Sequence, residues 1–355
     1  MNAVRDMSNF LIGWPLTKHD FGQISKSRQV SAAESRSCLG TVLTPVITLK
    51  SDVLWRHDKA TGQAVALLQQ LRRPFILINS ESDRPLDIAR DPAVAQLLSN
   101  PLLQAWFMQN CFIDHPKVRP LPIGVGPQYS KLLLLEQLSK RLAHRSALQS
   151  KRSLLLLQFS LNTNPMRRLV RNTLCDRVSW KDQVTCSLDH ALRPGSYYES
   201  IAEHMFVVSP PGNGVDAHRT WDALALCAVP IVFRCSTCSR CFLSAFDGLP
   251  VLVVNSTHDI PPPSQLRQIW HKWHGNKTFT QCAAGFSRDF AAGLRGLRIA
   301  THGRIDADAA TEPTLKRCWL NDADANLSAG VNPCPPPSDD VVPCEYRRQY
   351  GSRKK

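Results

Sequence analysis

Two stretches of this chain repeat one rhythm: a short unbroken apolar run, a polar loop, then a segment with apolar residues at helical spacing. Short runs of that kind suit strands buried on both faces. Their alternation with helices is the pattern of a parallel sheet with helices packed on it. In the first stretch TVLTPVITLKSD, Phe75–Ile78 and KVRPLPIGV read as strands. KATGQAVALLQQLRR, DPAVAQLLSN (with Asp91 as its cap) and LLLLEQLSKRLAH read as helices. The rhythm restarts at SLLLLQF and continues through helix MRRLVRNTLCDR, helix SYYESIAEH, strand MFVV, helix HRTWDALALC and strands VPIVF and LPVLVV. The expectation is an α/β protein of two Rossmann-like, doubly wound domains, 41–150 and 151–300. A loosely ordered segment, 1–40, precedes them, and a flexible Pro- and charge-rich tail, 301–355, follows.

A chain of 355 residues with 43 % hydrophobic content can bury two full cores. It carries 43 Lys and Arg against 29 acids, a formal charge of +14. That excess favours phosphorylated or acidic partners without choosing among them. Nine Lys or Arg and one acid fall between Lys131 and Arg171; a solvated helix face would give the same count. No stretch approaches the ~20 apolar residues of a membrane span, and the N-terminal residues, broken by Pro15, do not read as a signal peptide. The 12 cysteines are scattered, as small buried hydrophobes often are, which leaves the redox compartment open. Cys235, Cys238 and Cys241 have metal-ligand spacing but no evident fourth ligand, so disulfides or free thiols are expected there and no metal. Asn255, Asn276 and Asn326 head glycosylation sequons, which alone do not place the chain in the secretory pathway.

The chemistry concentrates in MFVVSPPGNGVDAHRTWDALALCAVPIVF, residues 205–233. A buried strand runs into a Pro/Gly loop and then a helix, with Asp216 expected as the N-cap. Ligands of α/β units sit beyond the carboxyl ends of the strands, where a helix N-terminus offers N–H groups to a phosphate. Gly212 and Gly214 allow close approach. His218 and Arg219 oppose the helix dipole and so need another reason to stand there, and Arg forks onto phosphate. Asp222, one turn on, could take ribose hydroxyls. In NTNPMRR, Asn164 closes a turn, and Arg167 or Arg168 could reach a diphosphate. In NSESD, Glu81 or Asp83 could act as a base from the facing domain; a turn or cap role would explain Asp83 equally. His57 and Asp58 are weaker candidates for the same task.

The segment SPPGNGVDAHRTWDALALCAVPIV resembles the C-terminal signature of exostosin-like glycosyltransferases, glycosyltransferase family 47, in which a strand leads into S-P-x-G-N-G-x-D-x-H-R-x-W-E-A-L. VITLKSDVLWRH, PFILINSESD, LLQAWFMQNCFIDHPKVRPLPIGV and GLPVLVV resemble further blocks of that family in the same order, so the likeness spans about residues 42 to 275. It implies a GT-B architecture and inverting, metal-independent transfer from a nucleotide-sugar donor, with no other cofactor, to a glycan or glycoprotein hydroxyl. The donor would lie on the C-terminal domain against Gly212, Asn213, Gly214, Asp216, His218, Arg219 and Asp222, with Asn164, Arg167 and Arg168 beside them. Catalysis would fall to Arg219 and to Asp83 or Glu81. The chain departs from the pattern where Asp222 replaces Glu, Cys227 replaces Gly, and Pro211 replaces a basic residue. As given, the chain reads as soluble; the resemblance implies the Golgi or ER lumen if an anchor precedes it, and otherwise the cytoplasm. A degenerate copy that binds glycan or nucleotide without turnover would share the same signature. A nucleic-acid-binding protein would share the charge, but no aromatic-basic block or zinc-finger spacing supports it.

Overall fold

A computed structural model describes residues 10–12, 44–50, 54, 59–80, 83–125, 151–187, 194–234, 239–274 and 318–320. Two parallel sheets organise them. In the N-terminal unit β1 (Phe10–Ile12), β2 (Val46–Lys50), β3 (Phe75–Ser80), β4 (Leu103–Met108) and β5 (Val118–Pro120) lie in chain order. Helices α1 (Lys59–Gln69) and α2 (Pro92–Leu98) connect them. β11 (Cys318–Leu320) pairs with β1 and completes a six-stranded sheet. The lead-in and the tail were read as irregular, yet each contributes one strand here. Three apolar residues in either segment are too short a signal for periodicity to register. The predicted helix at 132–144 lies outside the described residues.

The C-terminal unit contains β6 (Ser153–Gln158), α3 (Pro165–Cys175), β7 (Val184–Ser187), α4 (Pro194–Glu203), β8 (His204–Ser209), α5 (His218–Ala225), β9 (Val229–Phe233), α6 (Arg240–Ser244), β10 (Leu252–Val254) and α7 (Pro263–His274). Its strand order is β10-β9-β8-β6-β7, all parallel. The connection from β6 goes to one side, to β7, and the chain then returns to the other side as β8. That reversal opens a crevice at the carboxyl ends of β6 and β8, where open α/β sheets hold ligands. The N-terminal sheet runs from β1 to β5 without a reversal. The core strands β3, β8 and β9 are buried at every position, as continuous apolar runs require when both faces are covered.

Two local expectations are corrected. Asp91 precedes α2 but makes no capping bond; its Oδ2 instead accepts from the Asp87 amide at 2.8 Å. α5 ends in a motif whose C′ residue must be left-handed. Ala228 N–H reaches Ala223 C=O at 2.8 Å and Cys227 N–H reaches Leu224 C=O at 3.1 Å, with Cys227 at φ 53°. A glycine would fit this position without strain; a side chain costs about 1–2 kcal/mol.

Three of the scattered cysteines, Cys111, Cys175 and Cys186, are disulfide-bonded and not free packing residues: Cys175–Cys186 lies within the C-terminal unit, and Cys111 joins the units by pairing with Cys241, one of the triplet where a disulfide or free thiols were expected. The second spans a sequence separation of 130 residues, and Cys241 packs into the core of the N-terminal sheet. Scattered spacing hid this pairing, because only the fold brings the partners together. Cys227 is buried and belongs to neither disulfide. Replacing Cys111 and Cys241 together by serine should lower unfolding stability by about 5 kcal/mol, the chain entropy of so long a loop. Denaturant titration measures the change, and a Cys111–Cys241 cross-linked peptide in a non-reducing digest verifies the bond.

Candidate functional site

The crevice between β6 and β8 is edged by two loops, 159–164 and 210–217, that lead into α3 and α5. α3 supplies the stitching. Asn164 is its N-cap: the side-chain oxygen accepts from Met166 N–H at 3.0 Å, and Nδ2 donates to Gly212 C=O at 3.0 Å. Arg167, buried three residues later, donates from Nε to Pro211 C=O at 2.8 Å and from Nη1 to Ser160 C=O at 3.0 Å. Its guanidinium therefore spans the crevice mouth and fixes both loops. A Cβ on Gly212 would stand 2.9 Å from Arg167 Nη2, so this glycine admits the arginine. Arg168 is exposed and donates to Asn162 Oδ1 at 3.3 Å.

Arg219, on the first turn of α5, is also buried. Its guanidinium lies 5.4 Å from the Phe159 ring centre, and that of Arg167 lies 5.8 Å from the same ring. Two cations thus converge on one aromatic ring just beyond β6, a cation–π arrangement that concentrates positive charge at the switch point. The N-cap of α5 is Ala217, with no capping side chain, and not Asp216 as the sequence suggested. The cap residue itself therefore supplies no side-chain acceptor to the first turn.

Asp216 has a different task. Oδ2 accepts from Ile123 N–H of the N-terminal unit at 2.8 Å, and Oδ1 accepts from Trp221 Nε1 at 2.8 Å. Its own N–H donates to Asn110 Oδ1 at 3.0 Å. Gly214 lies so close to Asn110 that a Cβ would meet Oδ1 at 2.6 Å; this glycine serves domain contact. His218 Nδ1 donates to Gly124 C=O at 2.6 Å, which places the proton on Nδ1. Asn110, at φ 51°, occupies the left-handed region that Asn tolerates. Its role was not legible in the sequence.

Asp222 is 3 % exposed and accepts from the Tyr197 hydroxyl of α4 at 3.0 Å. Burial, followed by the Asp222 charge, holds the Tyr197 hydroxyl well above its ordinary value. Ser209 and Thr220 hydroxyls bond at 2.8 Å and tie β8 to α5. Across the interface Asn213 Nδ2 donates to Asp83 Oδ2 at 3.3 Å, both residues exposed. Two residues separated by 130 positions, one expected on the donor loop and one expected as base, are therefore neighbours. Glu81, His57, Asp58, Cys235 and Cys238 lie outside the described residues. Cys241 is engaged by Cys111 and is removed from the metal-spaced triplet. Among the described residues no group of three or more His, Cys, Asp or Glu side chains is placed to hold a metal. A cavity of about 410 Å³ between α1 and α2, lined by residues such as Thr61, Val65, Gln69 and Gln96, brings no charged side chain and lies on the N-terminal unit alone.

No family model matches the chain, and no curated protein is similar to it. Among solved structures the chain is similar to an α,α-trehalose 6-phosphate synthase from Burkholderia multivorans, at 11 % identity and TM-score 0.39, with 76 % of each chain covered. It is similar to the calicheamicin glycosyltransferase at 10 % identity and TM-score 0.34, with 77 % of each chain covered. It is similar to the spinosyn rhamnosyltransferase at 13 % identity and TM-score 0.34, covering 72 % of this chain and 73 % of that one. Similarity this weak identifies neither an activity nor a substrate.

Burial raises the Asp216 carboxyl from its ordinary 3.8 to about 7, against the opposing effect of its hydrogen bonds. Between those values the folded chain binds more protons than the unfolded chain, so this group removes stability as pH rises from about 4 to about 7. Asp216→Asn does not titrate. The stability difference between wild type and variant, measured by urea unfolding from pH 4.5 to 7.5, should shift by a few kcal/mol across that window. A difference independent of pH contradicts the assignment.

Proposed function

We propose that this protein is a GT-B glycosyltransferase of exostosin-like type that moves a glycosyl group from a nucleotide-sugar donor to a glycan or glycoprotein hydroxyl, inverting the anomeric carbon without a metal ion. The observation that carries this reading is the contact between Asn213 and Asp83. It sets an exposed carboxylate of one unit against the glycine-rich loop of the other, beside a crevice edged by Arg167 and Arg219.

In this reading the donor diphosphate lies at the switch point between the first turn of α5 and the guanidinium of Arg219. Arg168 lies near its outer end. Arg167 and Asn164 hold the loops that flank it. Asp83 accepts the proton of the acceptor hydroxyl. The hydroxyl oxygen bonds to the anomeric carbon from the face opposite the diphosphate, whose bond to that carbon breaks. Arg219 and the helix N-terminus stabilise the charge that grows on the departing phosphate oxygen. Asp222 reaches ribose hydroxyls once Tyr197 releases it. Asp216, Gly214 and His218 hold the site together from the domain interface and do not touch donor. The disulfides Cys111–Cys241 and Cys175–Cys186 favour an oxidising compartment such as the Golgi or ER lumen.

Asp83→Asn should lower transfer at least about 100-fold while leaving donor affinity within about threefold, because a general base acts on turnover and not on donor binding. Arg219→Ala should lower turnover by a similar factor or more, through about 3 kcal/mol or more of lost charge stabilisation. Slow donor hydrolysis, followed by nucleoside diphosphate release from UDP- and GDP-sugars, distinguishes an enzyme from a non-catalytic binding protein. Wild-type activity in both variants would remove these residues from the chemistry. Absence of any hydrolysis or transfer would favour the binding protein.

A further inference from the structure

Gln158 closes β6, the strand between β8 and β7 at the switch point, and its side chain is 0 % exposed. Neither Nε2 nor Oε1 has a hydrogen-bond partner. A buried carboxamide in that state costs stability, and a leucine or methionine would pack there without the cost. Its surroundings are polar in an ordered way. Gln158 pairs with Ser187 of β7. The pairing of β6 with β8 runs as far as Leu156 opposite Val207, and the same register carried two residues further brings Gln158 level with Ser209 of β8. Paired residues of parallel strands present their side chains on the same face, so Ser187, Gln158 and Ser209 form a row across the carboxyl edge of three strands. Leu156, two residues earlier on that face, packs with Tyr198 and Ile201 of α4 and Ala223 and Ala225 of α5. The same two helices carry Thr220, bonded to Ser209, and the Tyr197–Asp222 pair.

We propose that Gln158 reads the ribose diol of the nucleoside diphosphate donor, an assignment that rests on the donor site described above. A carboxamide presents one donor and one acceptor side by side. A vicinal diol answers with one oxygen that accepts from Nε2 and one hydroxyl that donates to Oε1. The hydroxyls of Ser187 and Ser209 in that row, with Thr220, Tyr197 and Asp222 on the two helices that cover this face, have the chemistry of a sugar-hydroxyl site. The unpartnered amide is then a group left unsatisfied in the fold so that ligand can satisfy it.

Gln158→Met preserves length and approximate volume and removes both polar atoms. The melting temperature of the ligand-free variant should rise by several degrees. Its affinity for UDP and GDP, measured by isothermal titration calorimetry, should fall at least about tenfold. The preference of wild type for UDP over 2′-deoxy-UDP should shrink to near unity in the variant, whereas a diol belonging to the transferred sugar would leave that preference unchanged and overturn the ribose assignment. A lower melting temperature would mean that the amide has a protein partner. A higher one with unchanged affinity would remove Gln158 from the donor site. Wild-type chain that binds neither UDP nor GDP would defeat the donor reading itself, and this assignment with it.

Discussion

The buried carboxylate of Asp216 accepts one hydrogen bond from Ile123 in the N-terminal unit and one from Trp221 in α5, and Asn110 accepts from its amide. Everything at the crevice depends on this junction. Trp221 fixes the rotation of α5 and therefore where His218 and Arg219 stand. The stretch from Asn110 to Gly124 carries further ties: the Cys111–Cys241 disulfide, Ser239 Oγ donating to Cys111 C=O at 2.7 Å, Asp114 accepting from Cys241 N–H at 2.8 Å, and Gly124 accepting from His218. Polar contacts this numerous between two sheets, joined covalently, oppose a free hinge between the units. The geometry between Asp83 and Asn213 is then largely preformed, and binding need not supply the cost of closing two domains.

The secondary structure of the sheets was legible because each core strand is a short continuous apolar run. β3, β6, β8 and β9 fall where SLLLLQF, MFVV, VPIVF and Phe75–Ile78 predicted them. β4 was missed as a strand: LQAWFM alternates buried and partly exposed positions, and its Gln104 breaks the run. β1 and β11 carry too few residues to stand out. The cysteine pairing was not legible, because it depends on contacts between distant segments, and neither of the aspartate caps expected at Asp91 and Asp216 forms. Asp216 shows the limit most clearly. An aspartate just before a helix reads as an N-cap, and only the approach of Ile123, 93 residues away, shows that its oxygens are already committed.

The candidate site divides in the same manner. Local chemistry singled out Arg219, Gly212, Asn213 and Asp83 as candidates, and the fold brings the last two into contact. It could not separate the residues facing the crevice from those holding its walls. Arg167, Asn164, Gly214 and His218 are all spent on backbone or neighbouring side chains, and the basic run from Lys131 proves mixed where it is described. Lys151 is buried, donates to Ile201 and His204 carbonyls, and is lowered by burial to about 7, whereas Arg152 and Arg168 are exposed. Tyr197 and Gln158 carried no sequence signal, since a tyrosine in a helix and a glutamine ending a strand are ordinary until burial and partners are known. The left-handed Cys227 and the unpartnered Gln158 both oppose the consistency that a well-folded sequence tends toward, and only the second lies at the crevice.

Hydrogen exchange in the presence of UDP and GDP tests the central claim, that a nucleotide donor occupies the β6–β8 crevice. Nucleotide binding should slow exchange in 159–167 and 210–219 while leaving α1 and α2 unchanged. Protection confined to the cavity between α1 and α2, or none at millimolar nucleotide, would contradict it.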